Sequence, residues 1–252
     1  MSDAPRPSTK LGFYLTPEHE CPYLEGRTAR TAFADPTASP DLRAQTRLAA
    51  AGFRRSGGIL YRPRCPSCQA CVPLRLEVDA FRPNRTQRRI AARNEDLIGR
   101  RVALSPTAEQ LALFDRYQHA RHPEGAMFAD SAERYLAYFA SSFSATQAFE
   151  LRLGDRLVAV MVVDPLLDAL SAVYTYFEPE LESRSLGTYA VLWQLAAARR
   201  ERLRWLYLGY LIEETRKMAY KAAFKPQQRL IDGVWAEVRA ECAARRGPAV
   251  PD

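Results

Sequence analysis

Apolar residues recur along this chain with two periods, and the changes of period mark its elements. In Pro73-Leu74-Arg75-Leu76-Glu77-Val78 they alternate with polar ones, which predicts a strand with one buried face. An earlier extended run, LGFYLT, begins at residue 11, and a cysteine-bearing loop separates the two. Leu111, Phe114 and Tyr117 return at helical spacing, so a helix is expected from residue 105, with Ser105 as N-cap and Pro106 at its first position. A second helix is expected over 131–143. The stretch FELRLGDRLVAVMVVDPLLDALSAVYTYFEP reads as three strands turning at Gly154-Asp155 and at Pro165 to Asp168. SLGTYAVLWQLAAARRERL predicts an amphipathic helix, RWLYLGYLI a short buried strand and EETRKMAYKAAF a further helix.

Helices, an antiparallel meander, a helix and then a strand make an α+β fold, and the order matches a GNAT-like (acyl-CoA N-acyltransferase-like) mixed sheet flanked by helices. Two regions follow: a cysteine-bearing, basic region over 1–100 and a GNAT-like domain over 101–252. Residues 82–101 hold seven arginines against two acids and read as a basic connector. The ends, 1–8 and about 244–252, read as disordered. Arg184-Ser185-Leu186-Gly187-Thr188 opens a helix directly after a strand. Free N–H groups at such a start attract phosphate, and Gly187 permits close approach. Ser183 or Ser185 could equally be an ordinary N-cap there.

Composition narrows the partners. With 252 residues and 47% hydrophobic content, the chain is long enough for one large domain or two small ones around a real core. It has no apolar run of about 18 residues, so no membrane span is expected. The net charge is +7, which favours an acidic partner such as nucleic acid. Lys10, Lys217, Lys221 and Lys225 are the only lysines among 36 basic residues, and three of them share one short segment. Either chance clustered them on a solvated helix, or the segment needs a compact, mobile ammonium.

Five cysteines without an apolar leader predict a reduced, cytosolic protein. Cys65, Cys68 and Cys71 form C-x2-C-x2-C inside GFRRSGGILYRPRCPSCQACVPLR, and Cys21 lies upstream in HECPYL. A tetrahedral site needs a fourth ligand, Cys21 or His19; the alternative is reduced thiols in a tight loop. Cys242 reads as a bystander in a polar C-terminal helix. Arg54, Arg55, Arg62, Arg64 and Arg75 surround the thiols, and guanidinium forks pair with carboxylate or phosphate.

From about residue 11 to 235 the chain resembles the bacterial aspartate/glutamate leucyltransferases, relatives of the eukaryotic arginyl-tRNA–protein transferases. The matching stretches are FYLTPEHECPYLEGRTART, GFRRSGGILYRPRCPSCQACVPLR, FRPNRTQRR, RYQHARHPEGAM, AVMVVDPLLDALSAVYTYFEPELESRSLGTYAVL and LYLGYLIEETRKMAYKAAFKP. Thr86 and Thr215-Arg216 depart from the usual pattern, at positions whose charge the chemistry does not need. The resemblance implies transfer of an aminoacyl group from aminoacyl-tRNA, Leu-tRNA in this branch, to the N-terminal Asp or Glu of a protein, marking it for degradation. It implies no required cofactor. A zinc ion or an iron–sulfur cluster at Cys21, Cys65, Cys68 and Cys71 is the candidate metal centre.

That reaction is aminolysis of an ester. An α-amine titrates near 7.7–8.0, so positioning should matter more than base strength. Arg54, Arg62, Arg75 and Lys217 are the candidates for the acceptor's carboxylate. Arg184 and Gly187 are candidates at the helix start. Tyr174, Tyr207, Tyr210 and Tyr220 fall in segments that would border the cleft, where a hydroxyl could serve a developing oxyanion; for any one of them core packing is the plainer explanation. Glu150 and Asp164 could accept a proton or hold the amine, although Asp164 precedes Pro165 and could be a turn residue. His122 is the one histidine beside a candidate site loop, and a lone histidine is more often structural. Arg82, Arg85, Arg88 and Arg89 with Lys217, Lys221 and Lys225 are expected to form one positive surface for tRNA. For a leucyl donor, Val160, Met161, Val162, Val173 and Phe177 supply an apolar slot. An arginyl donor would instead need Glu150 or Asp164. An acetyl-CoA-dependent acetyltransferase would usually show a richer glycine loop than RSLGTY, and a non-catalytic nucleic-acid-binding or metal-sensing protein remains the third class.

Overall fold

A computed structural model describes residues 11–123 and 131–238. The expected disordered ends and the Cys242 helix lie outside the described residues. In chain order the elements are β1 (Phe13–Leu15), β2 (His19–Glu20), β3 (Thr28–Ala29), β4 (Thr31–Ala34), α1 (Leu42–Ala50), β5 (Arg54–Ser56), β6 (Ile59–Pro63) and β7 (Val72–Glu77). There follow α2 (Arg85–Arg93), β8 (Leu97–Ala103), α3 (Ala108–Arg121), α4 (Ala132–Phe139), β9 (Gln147–Leu153), β10 (Arg156–Pro165) and β11 (Ala169–Phe177). The chain continues through α5 (Leu186–Arg200), β12 (Trp205–Leu211), α6 (Arg216–Ala219), β13 (Gln227–Ile231) and β14 (Val234–Val238).

An eight-stranded mixed sheet in the order β14-β13-β7-β12-β11-β10-β9-β8 forms the body. Every pairing in it is antiparallel except β11 with β12. β10 is the middle of the core: Leu157 to Asp164 are all buried. Its side chains pack both ways. Ala159, Met161 and Val163 meet Leu186, Ala190 and Leu195 of α5. Leu157, Val160 and Val162 meet Leu113 and Phe114 of α3 and Tyr135 and Phe139 of α4. Each such large side chain contributes roughly 1.5–3 kcal/mol when fully buried. A smaller sheet, β1-β4-β6-β5, and the β2-β3 pair carry the N-terminal residues. β7 belongs to the N-terminal part of the sequence yet sits between β12 and β13, so the large sheet draws strands from both sides of residue 100.

Several elements differ from the sequence reading. The basic connector at 82–101 is α2 followed by the edge strand β8. Asn84 caps α2 in a reciprocal capping box with Gln87, while Ile90 is its buried apolar anchor. Helix α3 begins later than expected, because Thr107, not Ser105, accepts from the Gln110 N–H and Gln110 answers to Thr107 N. Helix α4 ends at Phe139 rather than 143. EETRKMAYKAAF is only the turn α6 and a 3-10 turn, Tyr220–Ala223. Among the described residues no helix is long and apolar enough to cross a membrane.

Candidate functional site

The parallel pair β11 and β12 is joined at three positions only, Ala169↔Trp205, Leu170↔Leu206 and Ser171↔Tyr207. Beyond Ser171, β11 stays with β10 while β12 stays with β7, and a fork opens between them. Ala172 to Thr175 on its β11 wall are partly exposed, unlike the buried Leu157 to Asp164 of β10 behind them.

Arg54 fills the base of the fork. Its Nη1 donates to Ser171 Oγ at 3.1 Å and its Nη2 to the carbonyl of Ala172, the first residue past the pairing. The facing strand makes room: β12 shifts register between Tyr207 and Gly209, and Gly209 has φ +82°. Only glycine adopts that conformation without strain, and a Cβ there would lie 3.4 Å from Arg54 Nε. Tyr210 ties this wall to the N-terminal sheet by donating to the carbonyls of Gly52 and Tyr61 at 3.0 and 3.2 Å.

Lys221 is the second basic group at the fork. The 3-10 turn folds its side chain inward, where Nζ donates to the Tyr210 carbonyl at 2.8 Å and lies 3.3 Å from Met218 Sδ. It is 8% exposed. Burial, and then the Arg54 charge, push its pKa down to about 7. Burial also lowers that of Arg54. Neither group makes an ion pair among the described residues, so Arg54 makes the base of the fork a positive, poorly hydrated site. Such a site favours an anionic group.

The two candidate carboxylates are engaged elsewhere. Asp164 receives Arg55 in a two-point pair, Nε to Oδ2 at 2.6 Å and Nη2 to Oδ1 at 2.8 Å, and Thr146 Oγ1 donates to Oδ1 at 2.6 Å. Glu150, on β9, takes Arg100 Nε on Oε2 and Gln110 Nε2 on Oε1, each at 2.8 Å. Burial raises the Glu150 pKa, but Arg100, Gln110 and Arg152 outweigh it and hold the carboxyl below its usual value. The oxygens of both carboxylates, expected to take a proton or hold the amine, are engaged by internal donors.

The other candidates divide. Tyr174 is on the β11 wall past the fork, accepts from Gln118 Nε2 at 2.9 Å and is raised in pKa by burial. Tyr207 lies on the paired side, where its hydroxyl accepts from Arg75 Nη1 at 3.3 Å. Tyr220 is exposed. Arg75 is not free for a carboxylate: its guanidinium lies between Trp205 and Trp235, 3.7 and 4.2 Å from their ring centroids, and its Nε donates to Gln228 Oε1. Arg62 donates to the Ala51 carbonyl at 2.6 Å. Arg184 is held by both oxygens of Asp96, at 2.7 and 2.8 Å, which withdraws it from phosphate binding. Gly187 serves packing, since a Cβ there would come within 3.0 Å of the Phe177 ring. Val160, Met161 and Val162 are core residues with no exposure, leaving Val173 and Phe177 as the partly exposed apolar residues of the expected slot. His122 is half-buried at the end of α3, and burial, Lys217 and Arg121 lower its pKa.

Comparison with known proteins settles the ancestry of this scaffold. Residues 19–89 match the family described as "Arginine-tRNA-protein transferase, N terminus", and residues 109–231 match its "C terminus". An aspartate/glutamate leucyltransferase of Thiobacillus denitrificans is 48% identical over 93% of this chain and 98% of its own. That of Marinobacter nauticus is 46% identical over 92% and 98%. The chain belongs to the aspartate/glutamate leucyltransferase family. Among solved structures, L-PGS from Bacillus licheniformis overlaps it at a TM-score of 0.47 and 13% identity, over 68% of this chain and 59% of that one.

In this transferase Arg82, Arg85, Arg88 and Arg89 are all exposed. Gln87 Nε2 donates to the Ala223 carbonyl at 3.2 Å, joining α2 to the turn that bears the lysines. Lys217 is exposed and Lys225 half-buried. Lys221 leaves the expected tRNA set, because its ammonium points into the fork rather than to solvent.

The four thiols share one neighbourhood. Burial, then Cys65, Cys21 and Cys68, push the Cys71 thiol up to about 12. Cys68 is lowered, by the Ala70 N–H and by Arg27, whose Nη1 lies 3.4 Å from its sulfur. Cys65 Sγ faces the Arg30 carbonyl at 3.8 Å. Among the described residues no group of three or more Cys, His, Asp or Glu side chains is disposed to hold a metal ion.

Sequence reasoning missed two features of the site. Arg55 looked like one more flanking arginine, but with Phe53 and Leu60 around it the strand turns it inward to Asp164. Lys221 looked like part of a charged helix face; the Met218 and Phe224 that flank it were the available sign of an inward turn.

Proposed function

We propose that this protein transfers leucine from Leu-tRNA to the N-terminal Asp or Glu of proteins, tagging them for degradation. The match to leucyltransferases over nearly their whole length carries this reading. The fork between β11 and β12 is the acyl-transfer cleft in this reading, as in a GNAT-like fold. Its unpaired cation Arg54 is suited to the acceptor's carboxylate, because a buried guanidinium rejects a neutral side chain that leaves it unpaired. The α-amine then attacks the ester carbonyl, and Tyr174 is the candidate hydroxyl on the β11 wall for the oxyanion. The exposed arginines around α2, with Lys217 and Lys225, receive the tRNA backbone. This reading puts the activity in the cytosol.

Leucine is favoured over arginine by one observation. A guanidinium donor needs an open carboxylate, and Glu150 and Asp164 already hold Arg100, Arg152 and Arg55. The test offers labelled Leu-tRNA and Arg-tRNA with peptides that begin with Asp, Glu, Lys or Ala. Leucyl transfer to the Asp and Glu peptides is expected. Preferential arginyl transfer, or equal transfer to the Lys and Ala peptides, would overturn the reading. An apolar slot separates neighbouring side chains by only ~1–3 kcal/mol, so some methionyl transfer is compatible with it.

A further inference from the structure

The proton of the acceptor's ammonium has no assigned destination, since Glu150 and Asp164 are both committed to internal donors. Lys221 is a titratable nitrogen at the base of the fork, bonded to the β12 wall, whereas His122 lies farther out against Tyr117. Its surroundings suit an uncharged amine better than an ammonium. A neutral amine has two N–H bonds and one lone pair, whereas an ammonium needs three acceptors. Among the described residues Nζ has two partners, the Tyr210 carbonyl at 2.8 Å and Met218 Sδ at 3.3 Å. The charged and titratable groups around it are Arg54 from β5, Tyr210 from β12 and Tyr220 of its own turn, whose ring centroid is 6.0 Å from Nζ. Among the described residues no carboxylate joins them. A second cation close by and the lack of a counterion both oppose protonation. Tyr210, the residue whose carbonyl fixes Nζ, directly follows Gly209, the residue packed against Arg54.

We propose that Lys221 is the proton acceptor for the α-ammonium of the incoming acidic N-terminus. The inference rests on the transfer reading above and adds a residue role to it. The acceptor R–NH3+ gives one proton to the Lys221 lone pair. The freed amine pair forms the C–N bond to the ester carbonyl, whose π electrons move to oxygen. Collapse of that intermediate breaks the C–O bond to the tRNA ribose. The ribose oxygen takes the second proton from the new nitrogen, leaving an amide and a free hydroxyl. Lys221 then releases its proton to solvent, and the balance is one proton per transfer. Arg54 stays charged throughout and holds the acceptor carboxylate.

The test uses the full chain with Leu-tRNA and an Asp-initiated peptide. Lys221→Met keeps the volume and removes the amine. Lys221→Arg keeps a charge that cannot act as a base at neutral pH. Both are expected to lower kcat by about 10²-fold or more, while KM for both substrates stays within about three-fold. The wild-type kcat at saturating acceptor should fall as the pH drops below about 7, and Lys221→Met should lose that limb. Added ethylamine should restore part of the Lys221→Met rate. A Lys221→Met enzyme with the wild-type kcat and pH profile would overturn the proposal. So would recovery by Lys221→Arg, a rise in peptide KM with kcat kept, or a loss that ethylamine does not relieve. If wild type transfers nothing from Leu-tRNA, the transfer reading fails first; if wild type transfers and the variants match it, only the role of Lys221 fails.

Discussion

Arg55 holds Asp164 through two nitrogens, Nε at 2.6 Å from Oδ2 and Nη2 at 2.8 Å from Oδ1, with both side chains almost fully buried. The same guanidinium donates to the carbonyls of Gly57 at 2.7 Å and Phe139 at 2.9 Å. One side chain therefore joins β5, the end of α4 and the central strand β10. Removing one partner leaves the other charge buried. Asp164→Asn should then cost about 3–5 kcal/mol, read as a lower urea midpoint with an unchanged slope. A loss below about 1 kcal/mol would mean that the pair is solvated in solution.

Arg54 sits one residue away and has no such partner among the described residues, so its replacement should change selectivity. Arg54→Ala should lower transfer to an Asp peptide by about 10²-fold or more. Transfer to the matching Asn peptide should barely change, and tRNA binding should survive. The two peptides compared side by side decide the matter. If Arg54→Ala still prefers Asp, the carboxylate is read elsewhere, with Lys217 the next candidate.

The α2 arginines act through charge and solvation. Arg88→Glu together with Arg89→Glu should raise the apparent KM for aminoacyl-tRNA and flatten its salt dependence, because fewer counterions are released on binding. Kinetics at two salt concentrations measure both quantities. An unchanged KM and salt slope would remove α2 from the tRNA surface.

What the sequence disclosed follows from which patterns are local. The hairpin turns at Gly154-Asp155 and Pro165 to Asp168 and the helix at 186–200 were legible, since each is set by its own periodicity and turn residues. The stretch 82–101 misled because seven arginines masked a helix whose cap, Asn84 with Gln87, was in plain sight. The β13–β14 hairpin was also readable from Asp232-Gly233 between alternating residues and was not expected. The site is another matter. Whether Arg54, Arg55, Arg62 or Arg75 is free depends on Ser171, Asp164, Ala51 and the two tryptophans, which are mostly far away in the chain. Spacing within GFRRSGGILYRPR holds none of that information.

The cysteines should differ in reactivity. The Ala70 N–H and then Arg27 favour the Cys68 thiolate, whereas burial and the neighbouring thiols push Cys71 up to about 12. At neutral pH more Cys68 than Cys71 is therefore thiolate, and thiolate is the form that alkylates. Brief iodoacetamide treatment followed by peptide mass spectrometry should find Cys68 modified well before Cys71. Equal or reversed labelling would contradict the packing of this loop.

Lys221 also makes a thermodynamic demand that needs no substrate. Its pKa is about 7 in the fold, against an ordinary lysine value of 10.5 in the unfolded chain. Between those values the unfolded state binds more protons than the native one, so stability should rise with pH. The gain begins as pH climbs past about 7 and is complete near 10.5. Falling pH reverses it, and below about 7 both states carry the proton, so the dependence ends. Lys221→Met has no such group. Urea unfolding of both proteins at pH 7 and pH 9 isolates the effect, because other groups contribute equally to each. Wild type should gain stability relative to Lys221→Met by up to about 1.4 kcal/mol for each pH unit in that window. Parallel curves for the two proteins would show that Lys221 keeps an ordinary lysine pKa in the fold.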